Sequence, residues 1–221
     1  MRAGLVFLLL GYVLSQFYRA CLAVLAPFLA TDIGATAADL ARASGLWFLI
    51  FAAMQIPVGW ALDKLGPRRT AAWLLGLGAG GGAALFAVAP APWALDLAMA
   101  LIGIGCSPVL MAGYFIFART YPAALFATLA GAMQGAGTLG NLAAALPLSL
   151  AAEAIGWRAS MAALAGVTLV AALGIGRFVA DPPRAESPTG GGSLLTLLAM
   201  PALWPIYAMM IVNYAPAAGL R

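Results

Sequence analysis

Arg19 stands in the middle of an apolar run from Gly4 to Ala30, with Tyr12 and Gln16 preceding it. Positions 12, 16 and 19 fall at i, i+4 and i+7, one face of a helix. An arginine at the centre of an apolar helix costs about 2.5 kcal/mol or more on insertion scales, so it needs a partner. Its planar fork donates two parallel hydrogen bonds and suits carboxylate or phosphate. No Asp or Glu lies in the middle of any apolar run of the chain. The partner is then an anionic ligand in a central cavity, an acid supplied from outside this sequence, or backbone carbonyl oxygens. Two more polar stripes repeat the spacing, Ser107, Met111 and Tyr114 in one run and Gln134, Thr138 and Asn141 in another, while Gln55 stands alone. The candidate binding set is therefore Arg19, Tyr12, Gln16, Gln55, Tyr114, Gln134, Thr138 and Asn141.

The elements that must hold these side chains are membrane spans. Hydrophobic residues make up 64% of the 221 positions and charged residues 8%, with a mean hydropathy of +1.01. An ordinary soluble domain is about a quarter charged and could not hide so much apolar surface. A span needs about 20 mostly apolar residues, and runs of that order fall at Gly4 to Ala30, Ser44 to Leu62, Thr70 to Ala89, Trp93 to Ala118, Ala124 to Ala152 and Arg158 to Val179. The first is too long for the apolar part of a signal peptide and reads as a retained span. A seventh begins near Leu203 and is cut off at Arg221. Between the sixth and seventh, Asp181 to Ser193 is rich in Pro, Gly and charge and reads as a flexible polar connection. The polar stripes belong to spans one, four and five; span three has no strongly polar side chain between Ala71 and Ala89, and span six offers only Ser160 and Thr168 before Arg177.

Several function classes drop out. Cys21 and Cys106 lie inside apolar runs, where they behave as small hydrophobes, and histidine is absent, so neither a disulfide framework nor a metal site is expected. No cofactor is implied, no nucleophile, base and acid cluster suggests an enzyme, and no Walker-type loop suggests an ATPase. The net charge of +4 comes from basic residues in short loops, which is topology information and no sign of a nucleic-acid partner. With the N-terminus placed in the cytoplasm, that side holds Arg2, Lys64, Arg68, Arg69, Arg119, Arg177 and Arg184 and the other holds Arg42 and Arg158, seven against two. The outer loops carry Asp32, Asp39, Asp96 and Glu153.

Between spans two and three stands Gly59-Trp-Ala-Leu-Asp63-Lys64-Leu-Gly66-Pro67-Arg68-Arg69-Thr70. It resembles the loop signature of the major facilitator superfamily, G-x-x-x-D-[RK]-x-G-x-[RK]-[RK], departing from it at Pro67, where a basic residue is commoner. Gly59 lets two helices approach, Asp63 at a span end can answer a cation or a helix N-terminus, Gly66 suits a tight reversal, and the basic cluster anchors the loop on an anionic leaflet. Gly156-Trp157-Arg158 at the start of span six is similar to a triplet common there in the superfamily. Gly131, Gly135, Gly137 and Gly140 resemble its antiporter motif without the Gly-Pro pair, and tight packing explains them equally well. The resemblance covers the whole chain.

The resemblance implies an all-α polytopic bundle with the fold of a superfamily N-terminal half: residues 1–180 as six spans, 181–200 as a cytoplasmic linker and 201–221 as the start of a truncated second half. It implies a permease that moves a small, anionic solute by alternating access, as symporter or antiporter, in a bacterial inner membrane. Gly59, Asp63, Lys64, Gly66, Arg68 and Arg69 would form its conformational loop. The stripes on spans one, four and five, with Gln55 from two, would line its cavity. The C-terminal six-helix half would be needed to complete it, and Arg19 with Arg221, on the pseudo-repeat spans one and seven, resembles the two arginines of the superfamily's organophosphate and anion transporters. Membrane lipid is the remaining expected partner. The competing expectation is a half-size, non-transporting scaffold or interaction protein.

Overall fold

A computed structural model describes residues 2–183, 200–205 and 208–209. They form two units by internal packing, Met1–Pro182 and Pro183–Arg221. In the second, the described residues include a short 3-10 turn, Pro201–Leu203. Most of the expected seventh span, with Arg221, and the linker over residues 184–199, with Arg184, lie outside the described residues.

The first unit is all helix. Its elements are α1 (Arg2–Ile33), α2 (Ala37–Ala53), α3 (Gln55–Lys64), α4 (Pro67–Trp73), a π-helical segment (Leu74–Gly80), α5 (Gly81–Ala87), α6 (Pro92–Thr120), α7 (Ala123–Ile155) and α8 (Trp157–Phe178). Five helical stretches are long and apolar enough to cross a membrane, or six when α2 and α3, bent by 41°, count as one span. The bundle is thus polytopic, and with α2 and α3 counted as one span it has one span for each of the six apolar runs up to Val179. Backbone hydrogen bonding forces this outcome, because hydrocarbon offers no partner for an open N–H or C=O.

Local chemistry sets the ends. Gly34, at φ +67°, turns the chain out of α1. Thr36 then caps α2: its Oγ1 accepts from the Asp39 amide at 3.2 Å while the Asp39 carboxylate accepts from the Thr36 amide at 3.0 Å. Span two therefore starts seven residues before Ser44, where hydropathy alone places it, and Arg42 rides on the helix and not in the loop. The bend at Met54 precedes Pro57, which has no N–H for the Ala53 carbonyl and crowds it.

Without a hydrophobic drive between helices in lipid, close contact comes from small residues. The sharpest case joins the π segment to α6: a Cβ on Gly105 would lie 1.9 Å from the Ala79 nitrogen, and one on Gly78 would lie 2.7 Å from Gly105 Cα. Only paired glycines let these backbones meet. Helix α6 packs at the centre against α2, α4, the π segment and α5, while α1 lies along α7 and α8.

Candidate functional site

Two of the three helices that carry polar stripes, α1 and α7, lie side by side. Tyr12 donates from its hydroxyl to Gln134 Oε1, and Asn141 donates from Nδ2 to Gln16 Oε1 at 3.5 Å. The seam is tight because of two glycines. A Cβ on Gly137 would lie 2.4 Å from Tyr12 Cε1, and one on Gly140 would lie 2.2 Å from the Val13 carbonyl oxygen. Gly131 and Gly135 meet nothing within 4 Å. Of the four glycines that sequence alone leaves open between antiport and packing, two are packing residues of this seam. Gln134 and Thr138 are exposed, so the seam presents a polar edge at the bundle surface, and Thr138 turns its hydroxyl to the Gln134 carbonyl at 3.4 Å.

Arg19 lies two turns of α1 beyond Tyr12 and is half-buried, with its guanidinium 5.2 Å from the ring centroid of Phe48 on α2. That distance is within the cation–π range. An aromatic partner is one that counting acids cannot reveal.

Other stripe members behave differently. Gln55 gives its Nε2–H to the Phe51 carbonyl at 2.9 Å, across the α2–α3 bend. Tyr114 stands 6.0 Å from Phe126, ring to ring, joining α6 to the start of α7. Ser107 is 1% exposed and donates to the Ile104 carbonyl at 2.7 Å, a side chain satisfied by its own helix. The helical spacing of that stripe is real, yet only part of it faces outward.

The motif is mostly helical and not a loop: Gly59, Asp63 and Lys64 lie on α3, Arg68 and Arg69 on α4, and only Leu65 and Gly66 stand between. Asp63 meets Arg119, from the end of α6, at 3.6 Å, and Arg119 in turn stacks 4.0 Å over Phe115. Gly66 takes φ +90° and leads into Pro67 at the first position of α4, where a missing N–H costs nothing. Space matters as much as φ, since a Cβ there would lie 2.9 Å from the Asp181 carboxylate. Asp181 accepts from the Arg68 amide at 2.8 Å and pairs with Arg68 Nε at 3.6 Å. A residue that composition assigns to a flexible connection thus caps the N-terminus of α4. Met111 approaches Gly59 closely, with its methyl 3.8 Å from where a Cβ would stand.

At the opposite end the Gly156-Trp157-Arg158 triplet ties three spans. Gly156 opens α8 at φ +83°, Trp157 Nε1 donates to Asp32 at 3.1 Å, and Arg158 reaches Asp32 at 3.0 Å and the Ala89 carbonyl at 2.9 Å. Arg42 similarly bridges Asp39 at 3.0 Å and Asp96 at 2.9 Å, linking α2 to α6. In the interior, fully buried Tyr18 bonds Thr168 at 2.7 Å. Thr168 already donates to the Leu164 carbonyl at 2.8 Å, so Tyr18 is the donor. Sequence reasoning ranked neither residue, because a single hydroxyl on an apolar helix carries no spacing signal.

Solved structures of known transporters share this architecture. The chain is similar to the POT family transporter PepTSo (TM-score 0.68, 16% identity, 96% of this chain and 48% of that one). It is similar also to the xylose transporter XylE from E. coli in its inward open conformation (TM-score 0.66, 17% identity, 96% and 56%) and to a D-xylose-proton symporter (TM-score 0.66, 17% identity, 96% and 54%). The chain therefore spans about half the length of the solved transporters it matches. No curated protein matches the sequence significantly. The family model described as Major Facilitator Superfamily matches residues 8–219, and with that match the chain belongs to this superfamily.

Proposed function

We propose that this chain supplies the N-terminal bundle of a secondary transporter that carries a small, anionic solute by alternating access. In this reading two six-helix bundles rock about a site near the midplane. The second bundle completes the cavity, residues 181–200 form the linker, and residues 201–221 begin the seventh span. The polar edge of Tyr12, Gln16, Gln134, Thr138 and Asn141 would face that cavity, with Gln55 and Tyr114 at its margins. The segment from Gly59 to Arg69 would control the conformational change, with the Asp63–Arg119 pair opening and closing. The N-terminus would be cytoplasmic and the membrane a bacterial inner membrane, as the basic loop residues favour.

The observation that carries the reading is Arg19. It is a half-buried guanidinium inside a span, on the same helix as the α1–α7 polar edge, and it rests on an aromatic face. A guanidinium suits a carboxylate or phosphate because its planar fork donates two parallel hydrogen bonds. The test is a thermal-shift screen of the complete protein against mono- and dicarboxylates, phosphate esters and nitrate, followed by uptake into proteoliposomes. A ligand of the folded state raises the unfolding midpoint. Arg19→Ala should remove the shift and the uptake, and Arg19→Lys should weaken binding by about 1.5–3 kcal/mol because the fork is lost. Unchanged shifts in both variants would sink the anion reading.

A further inference from the structure

Where α8 lies against α4 and the π segment, the bundle has a cleft of about 520 Å³. Its mouth is basic. Arg68 and Arg69 stand at the start of α4 and Arg177 at the end of α8, and all three line it. Arg69 and Arg177 are exposed, and Arg68 shares the Asp181 carboxylate, so among the described residues three guanidinium groups at the mouth stand with one acid paired to them. Below the mouth the walls are Trp73, Leu77, Leu169 and Leu173, which are 66%, 69%, 46% and 73% exposed. Gly76 and Gly176 line the trough where the helices meet, a Cβ on Gly76 lying 3.3 Å from Ala172 Cβ and one on Gly176 3.5 Å from Ala72 Cβ. No residue of the α1–α7 polar seam lines it.

The two ends differ in chemistry in the way a membrane leaflet does. From Arg69 to Leu77, and from Arg177 back to Leu169, each wall runs about 12 Å along its helix at 1.5 Å per residue. The guanidinium groups sit at the ends of spans, where the headgroups of a bilayer lie, and the apolar trough runs from them along the spans. A soluble anion would use the mouth and leave the trough empty. A lipid fills both.

We propose that this cleft binds an anionic phospholipid. Its phosphate sits on Arg69 and Arg177 with Arg68 beside it, and one acyl chain lies in the trough against Trp73 and Leu173. Guanidinium groups take phosphate oxygens in pairs, and basic pockets between membrane helices select acidic headgroups. The cleft lies on α4 and α8, so the proposal stands apart from any substrate in the α1–α7 seam.

Bromine on an acyl chain quenches a tryptophan it touches. The full chain is placed in phosphatidylcholine bilayers containing an equal share of either brominated phosphatidylglycerol or brominated phosphatidylcholine. The Trp73 signal is the difference between the wild type and Trp73→Phe. Trp93, 61% exposed on α6 and absent from the cleft lining, reports ordinary surrounding lipid through Trp93→Phe. Phosphatidylglycerol should quench Trp73 more strongly than phosphatidylcholine does, with no such preference at Trp93. Arg69→Gln and Arg177→Gln should each lower the preference about fivefold, and Arg→Lys at both positions should retain most of it. Equal quenching of Trp73 by the two lipids, the same preference at Trp93, or a preference that survives both glutamines overturns the proposal. So does loss of the preference on adding inorganic phosphate but not chloride of equal ionic strength, which would assign the mouth to a soluble anion.

Discussion

Adding a single methyl group along α7 should have opposite consequences at positions within three turns of one another. In Gly140→Ala the new Cβ would lie 2.2 Å from the Val13 carbonyl oxygen, against carbon contacts that are optimal near about 3.5 Å or more. The obstacle is backbone, so relief requires α1 and α7 to separate by roughly an ångström along a seam held by small residues. In Gly137→Ala the clash at 2.4 Å is with the Tyr12 ring, which can turn only by releasing Gln134. Overpacking costs about 1–3 kcal/mol, with Gly140→Ala at or above the upper end, and Gly137→Ala adds the loss of one hydrogen bond worth about 1 kcal/mol. Gly131→Ala and Gly135→Ala meet open space and gain up to about 1 kcal/mol of helix propensity. Cys21 and Cys106 are buried thiols, so labelling by a thiol-reactive fluorophore during a thermal ramp reads unfolding directly. At about 2–4 °C per kcal/mol for a chain of this size, Gly140→Ala should lower the midpoint by several degrees while Gly131→Ala and Gly135→Ala leave it level or higher. If all four variants moved the midpoint equally, or Gly140→Ala did not move it, the packing account of this seam would be wrong.

The same labelling assay checks three further expectations. Asp181→Ala removes the cap of α4 and should cost about 0.5–2 kcal/mol, whereas Asp181→Asn, which still accepts from the Arg68 amide, should cost less. Thr168→Val strands the fully buried Tyr18 hydroxyl and should cost about 1–3 kcal/mol, more than Tyr18→Phe at about 0.6 kcal/mol, which leaves Thr168 bonded to Leu164. The Asp63–Arg119 pair is 63% and 34% exposed, so Asp63→Asn should change stability by no more than about 1 kcal/mol. A marked loss of uptake from Asp63→Asn at unchanged midpoint would then place its effect in transport and not in folding.

The six apolar helices of the first unit and the superfamily were legible in the chain because hydropathy is local and additive: a run of apolar residues must be helical in hydrocarbon whatever lies beside it. The motif between Gly59 and Thr70 was legible for the same reason, its residues lying within one short stretch of chain. Which side chain meets which depended on the rotation and neighbours of each helix, and in lipid those leave little trace in sequence, since the outer face is as apolar as the inner one. Only the assembled bundle set Asp63 on Arg119, Asp181 on the α4 amide and Trp157 with Arg158 on Asp32. Only the bundle separated Gly137 and Gly140, which touch α1, from Gly131 and Gly135, which touch nothing, because a missing side chain acquires meaning from the atoms that occupy its place.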